Sequence, residues 1–361
     1  MGDGQGPLTG LQVVEFAGLG PGPFAAMMLA DAGADVLRIE RPGGSPDGGA
    51  LLRGRDTVEV DLKSAEGRSR AYRAAEAADV LIEGYRPGVM ERLGLGPEDL
   101  CTANPRLVYG RMTGWGQDGP RSAQAGHDIN YLSLTGALRS IARRGEAPVP
   151  PLNIVADYGA GGMLLLAGVL MALMERHTSG RGQVVDAAMV DGVGLLMTGI
   201  WSRLAQGRWP GPPGENELDS GAPFYDVYRT ADDEYMAVGS IEPQFWSRLL
   251  EVLELDAAVV PDQWDRQRWP EAKALLATAF ATATRAEWTR RFASVDACVT
   301  PVLSLEEAPA DAHLAARRTL VTDAHGAIEP APAPRFSRTP LGKASISLES
   351  SDGDRPAPGG L

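Results

Sequence analysis

Four histidines occur in the chain, and one stands in a setting that suggests chemistry. His127 lies in Gly126-His127-Asp128-Ile129-Asn130-Tyr131, shortly after the glycine-rich Gly114-Trp115-Gly116-Gln117-Asp118-Gly119-Pro120. Loops of this kind carry functional side chains, although a lone loop histidine is more often a structural hydrogen-bonder. His177 ends a predicted helix, where a cation suits the macrodipole. His313 and His325 lie in polar, Asp/Ala-rich stretches. Asp157 precedes a long apolar run, and the residue pattern favours an N-cap, because Asp accepts from the open N–H groups of a first turn. A carboxylate at the mouth of a buried helix is also a ready acid/base or nucleophile, its pKa lowered by the helix N-terminus and raised by burial. Glu242, two residues after Ser240, falls in the first turn of another predicted helix, where the macrodipole favours an acid.

Gly18-Leu19-Gly20-Pro21-Gly22 follows a predicted strand and opens a helix, with Glu40 beyond it. The run imitates the dinucleotide fingerprint, in which glycines admit a pyrophosphate and an acid holds a ribose. The third glycine is one position early, and Pro21 and Pro23 remove N–H donors where phosphate oxygens need them. A tight turn beside some other ligand fits better than a nicotinamide or flavin site. Arg38 and Arg41 flank Glu40, and Arg53 and Arg55 follow. Arginines at strand ends of an open α/β sheet suit bidentate phosphate contacts. The chain is arginine-biased, however: its only lysines are Lys63, Lys273 and Lys343. By spacing alone, a solvated surface explains these arginines equally well.

The elements that must position these residues alternate. Predicted strands at 11–16, 35–40, 57–62, 80–83 and 106–111 are separated by helical patterns over 23–31 and 64–78. Repeated strand–helix–strand units imply a parallel sheet covered by helices, a Rossmann-like α/β domain. Residues 157–177 read as a long, nearly all-round apolar helix and hence a buried one. A strand at 183–189 follows. A Pro- and Gly-rich stretch at 205–222 breaks the pattern. Beyond it, a hairpin at 224–239 and helices near 242–253, 270–283 and 285–293 make a smaller α+β domain. The expected organisation is a large domain over 1–190 completed by 330–361, a linker over 191–223, and a small domain over 224–329. The tail after Phe336 is expected to fray.

Composition sets outer bounds. The 361 residues suggest two domains, at roughly 150 residues each. The 34 Lys and Arg against 47 Asp and Glu give a net charge of −13, which argues against nucleic acid and anionic membranes as partners. Cys101 and Cys298 are far apart and form no metal-ligand spacing or disulfide framework. A reducing, cytoplasmic compartment is expected from this cysteine usage, and the first residues lack the pattern of a secretion signal.

Several longer motifs occur in order: Leu11–Pro23, Ala32-Gly33-Ala34-Asp35-Val36, Glu83-Gly84-Tyr85-Arg86-Pro87-Gly88 and Thr113-Gly114-Trp115-Gly116-Gln117. After them come Gly126–Tyr131, Asp157 before its glycine-rich helix, Gly180–Ala188 and Gly239–Gln244. Together these resemble the α-methylacyl-CoA racemases of the family III CoA-transferase superfamily over about residues 7–340. The resemblance implies a Rossmann-like large domain and a smaller domain, interlocked in a homodimer whose active sites lie between the large domain of one chain and the small domain of the other. It implies interconversion of (2R)- and (2S)-2-methylacyl-CoA by 1,1-proton transfer through an enolate, with no metal and no cofactor beyond the CoA of the substrate. His127 and Asp157 match the proton-transfer pair, and Glu242 matches the residue that orients the histidine. Leu19, Arg38, Arg41, Val60, Asp61, Arg86 and Arg92 match CoA contacts. A family III CoA transferase, with Asp157 forming an acyl anhydride, is the rival reading, and a non-catalytic acyl-CoA-binding protein is a third. His127 favours the racemase, because a transferase needs no second proton-transfer group there.

Overall fold

The computed structural model describes residues 6–44, 49–323 and 325–342. The tail from 343 onward, expected to help complete the large domain, lies outside the described residues. The chain divides into two compact units. The first takes the described parts of Met1–Gln124, Asp157–Met189 and Glu329–Leu361, and the second takes those of Ala125–Ala156 and Val190–Ile328.

The first unit is built on six parallel strands: β1 (Gln12–Phe16), β2 (Asp35–Glu40), β3 (Arg55–Glu59), β4 (Val80–Glu83), β5 (Val108–Thr113) and β6 (Val184–Ala188). Their order is β3-β2-β1-β4-β5-β6, so the sheet turns back on itself between β1 and β4. Strands covered on both faces read as continuous apolar runs, and every residue of β4 and β5 is buried. Val14, Phe16, Ile39, Leu81, Leu100 and Tyr109 share one core cluster. The Ala65–Glu76 helix starts at Ser64, whose hydroxyl accepts the Gly67 N–H at 2.9 Å.

Strand β3 begins two residues before the predicted strand and ends three residues earlier. Arg55 belongs to it because Glu15 gives that buried guanidinium a partner at 2.5 Å, so an ionic residue occupies a position that hydropathy leaves outside. Likewise β5 runs two residues further than predicted, to Thr113. The apolar helix starts earlier than its composition suggests: a π-helical segment, Ile154–Gly162, leads into Met163–Ser179. Among the described residues this is the one helix long and apolar enough to cross a membrane. It lies against the sheet. A Cβ built at Gly110 of β5 would stand 3.0 Å from Leu165, and one at Gly168 only 2.6 Å from Val185 of β6.

The second unit carries a three-stranded antiparallel sheet, β7 (Asp226–Arg229), β8 (Tyr235–Val238) and β9 (Val299–Pro301), in that order. Helices Pro243–Val252, Trp269–Phe280 and Arg285–Phe292 pack an aromatic core that includes Phe224, Tyr228, Trp246, Trp269, Phe280 and Trp288. The last of these helices is opened by Thr284 and Glu287 in a reciprocal cap, the Glu287 carboxylate accepting the Thr284 N–H at 2.8 Å. Ala125–Ala156, placed in the large domain by the sequence reading, groups with this unit. Two of its arginines find acids here, Arg143 on Asp226 at 3.1 Å and Arg144 on Glu215 at 2.8 Å. Residues 191–223, read as a linker, contain most of the Met189–Leu196 helix and all of Thr198–Ala205.

Candidate active site

In the first unit, the residues matched to CoA contacts lie in the C-terminal half of a strand or in the segment that follows one. Leu19 follows β1, Arg38 lies within β2 and Arg41 just after it, Val60 and Asp61 follow β3, Arg86 follows β4, and Arg92 ends the short Val89–Arg92 helix beyond it. That edge, at the reversal of strand order, is where open α/β sheets bind ligands. Leu19 is 72% exposed, an apolar side chain held out in solvent, and Arg41, Asp61, Arg86 and Arg92 are exposed as well. Val60 is buried.

Arg38 differs from its neighbours. It is only 2% exposed, and its guanidinium donates to the Glu15 carboxylate at 2.7 Å, with Glu40 at 3.7 Å. Glu15 also takes Arg55, so one buried carboxylate on β1 ties together arginines of β2 and β3. A second buried pair, Arg53 with Asp31 at 2.6 Å, holds the chain before β3. Three of the four arginines noticed in the sequence, Arg38, Arg53 and Arg55, are thus held in buried ion pairs, and Arg41 is the exposed one.

At the end of β4, the buried Glu83 carboxylate accepts the Tyr85 N–H at 2.8 Å and the Arg111 Nε–H at 2.9 Å. Burial pushes this carboxyl above its ordinary value, against the opposing pull of the Tyr85 N–H and Arg111. The pair fixes the turn through Gly84 and Tyr85 that sets the start of Arg86.

Asp157 is half-buried in the π-helical segment. It does not stand at the N-cap, as its residue pattern favours, but three residues inside the helical run. The first turn is served instead by Asp128, whose Oδ2 accepts the Ala156 N–H at 2.7 Å. π-Helical turns inside α-helices occur frequently at functional sites. Gly20, the N-cap of the Pro21–Asp31 helix, has φ 65° and ψ −111°, and a Cβ there would stand 3.3 Å from Asp157 Oδ2. The second glycine of the false dinucleotide fingerprint is therefore a floor for the Asp157 carboxylate. Phe24 packs on the neighbouring Tyr158 with ring centroids 5.1 Å apart.

In the second unit, His127 is exposed and caps the Asp128–Leu134 helix, its backbone N–H donating to Asn130 Oδ1 at 3.0 Å. Glu242 is exposed and occupies the N-cap position of Pro243–Val252. Burial, with the charges of Asp296 and Glu242, pushes the Cys298 thiol up. An apolar cavity of about 180 Å³ in this unit is lined by Ile141, Val155, Val193, Leu196, Met197 and Ile200, among others.

The model of CoA-transferase family III matches residues 8–358. The chain belongs to this family. Among curated proteins, this family III chain is 50% identical to the α-methylacyl-CoA racemase of Mus musculus over 333 residues, 92% of this chain and 87% of that one. It is 47% identical to the Homo sapiens α-methylacyl-CoA racemase, with the same coverage. Among solved structures it resembles a CaiB/BaiF family protein from Brucella suis, with a TM-score of 0.82 and 25% identity, covering 94% of this chain and 95% of that one. The α/β architecture with a Rossmann-ordered sheet is thus the fold of the family.

Sequence reading missed Asp128, Glu15, Glu83 and Arg111 as site-building groups. Each is an ionisable residue in or beside an apolar or strongly patterned segment, and that conflict is the signal that could have found them.

Proposed function

We propose that this chain is an α-methylacyl-CoA racemase, an isomerase that interconverts (2R)- and (2S)-2-methylacyl-CoA. The observation that carries the reading is the 47–50% identity to two α-methylacyl-CoA racemases over 92% of the chain. The thioester acidifies the α-hydrogen, so the reaction needs only a base on one face and an acid on the other. One of His127 and Asp157 removes the C2 proton, leaving a planar enolate, and the other returns a proton to C2 from the opposite side. Glu242 orients the histidine. No metal or organic cofactor enters the proposed chemistry.

The enolate oxygen calls for preorganised N–H donors, and the first turn of the Ile154–Gly162 segment is the candidate source. The Ala156 N–H is already given to Asp128 and is not one of them. CoA would lie along the strand ends, with Arg41, Arg86 and Arg92 meeting its phosphates and Leu19, Val60 and Asp61 beside it. Arg38 would act from beneath, its charge shared with Glu15. The apolar cavity by Val155 offers room for part of an acyl chain. A homodimer is part of the reading. Met171 and Met174 in the first unit, and Leu195, Leu196, Trp201 and Leu204 in the second, are exposed apolar side chains of the kind a partner chain would cover.

The test uses one pure 2-methylacyl-CoA epimer in D₂O. Both epimers should appear with deuterium at C2. Absence of both exchange and epimerisation, across several chain lengths, refutes the racemase, whereas acyl exchange onto a free carboxylate reinstates the transferase with Asp157 as nucleophile. His127→Ala and Asp157→Ala should each lower turnover by about 10²–10⁴-fold.

A further inference from the structure

His127 and Asp157 are thirty positions apart in sequence, and the residues next to them are joined. Asp128 immediately follows His127, is 4% exposed, and opens the Asp128–Leu134 helix. Ala156 immediately precedes Asp157 and is wholly buried. The Asp128 carboxylate accepts the Ala156 N–H at 2.7 Å, a bond that closes a 28-residue stretch of chain within the second unit. Within the first turn of the same helix, Asn130 Oδ1 accepts the His127 N–H at 3.0 Å, and the His127 carbonyl accepts the Asn130 N–H at 2.8 Å. The backbone N–H and carbonyl of His127 are therefore both held by Asn130, and the residue after it is held by Ala156.

We propose that Asp128 is a positioning residue for the proton-transfer pair, its carboxylate locking the backbone of the histidine loop to the first turn of the helix that carries Asp157. The inference rests on the racemase reading. A carboxylate suits the task for two reasons. A charge-assisted bond to a backbone N–H is short and directional. The first turn of a helix also has open N–H groups that attract a negative charge. With Asp128 serving that turn from outside, capping does not have to come from the Asp157 side chain. In this role Asp128 acts on the Ala156 N–H and not on a reacting atom. Its effect is on geometry, and proton transfer is steep in geometry: a misplacement of about 1 Å can cost on the order of 10²-fold.

The experiment compares wild type, Asp128→Ala, Asp128→Asn and Asp128→Ser in D₂O with a single epimer. In each, kcat, KM and the ratio of deuterium exchange with inversion to exchange with retention are measured. In Asp128→Ala, kcat should fall by about 10–100-fold while KM stays within about threefold, and the ratio should move by at least about threefold. Asp128→Asn keeps an oxygen that can accept the Ala156 N–H, and should return kcat to within about threefold of wild type. The ratio does not depend on how much of the enzyme is folded, so a merely structural role leaves it unmoved. If Asp128→Ala is not recovered folded, Asp128→Ser, whose hydroxyl is too short to reach Ala156, carries the same measurement. A wild-type ratio and kcat in the variant lacking the acceptor overturns the proposal while leaving the racemase intact. A wild-type enzyme that neither exchanges nor epimerises takes both down together.

Discussion

Removing the charge of Glu15 should cost more than removing either arginine it serves. Glu15 is fully buried and receives Arg38 at 2.7 Å and Arg55 at 2.5 Å. Glu15→Gln keeps the shape but leaves two buried guanidiniums, with only Glu40, 3.7 Å from Arg38, and the charge of Asp31 near Arg55 to offset them. Burial already pushes the Arg55 guanidinium down, and Glu15 is the main force pulling it back. Breaking a buried pair typically costs about 3–5 kcal/mol, because the partner is left charged and unpaired. Two charge-assisted bonds at about 1.5–3 kcal/mol each give a similar figure. We therefore expect Glu15→Gln to lose about 3–5 kcal/mol. Arg38→Met should lose less, since Glu15 then still holds Arg55. Urea unfolding followed by far-UV circular dichroism measures both, read on the transition that reports the parallel sheet. A Glu15→Gln loss under about 1 kcal/mol, or an Arg38→Met loss exceeding it, would refute the reading of Glu15 as the shared counter-ion.

Two further substitutions probe the same edge of the sheet. Gly20→Ala places a Cβ in a backbone region that L-residues avoid, at a cost of about 1–3 kcal/mol, and 3.3 Å from Asp157 Oδ2. Its turnover should fall further than its stability, and equal losses in both would show that Gly20 does not support the carboxylate. Glu83 has a raised folded-state pKa, so it favours the native state below its unfolded value near 4.5, and that contribution fades as pH rises through the folded value. Stability of wild type relative to Glu83→Gln should therefore decline as pH climbs above about 4.5, and parallel pH–stability curves for the two proteins would contradict this.

Much of the fold was legible because its signals are local. The bounds of β2 and β4 follow from short apolar runs, and the hairpin of β7 and β8 from turn residues around Asp232 and Asp233. Motif order pointed to His127, Asp157 and Glu242 without any coordinates. What local pattern could not supply was the destination of charged residues. Arg55 looks like loop from its hydropathy and is strand because Glu15, forty residues earlier, pairs with it. Asp157 looks like an N-cap and is not, because Asp128 serves the first turn from 28 residues away.

The sequence by itself determined the parallel sheet, the family and the identity of the candidate acid/base groups, since periodicity and motif order are properties of neighbouring residues. Only the tertiary structure decided which arginines are left for a ligand and which carboxylates build the site. A buried charge is tolerated only with a partner close at hand. That partner is found in space, on another strand or helix, and no spacing along the chain announces it.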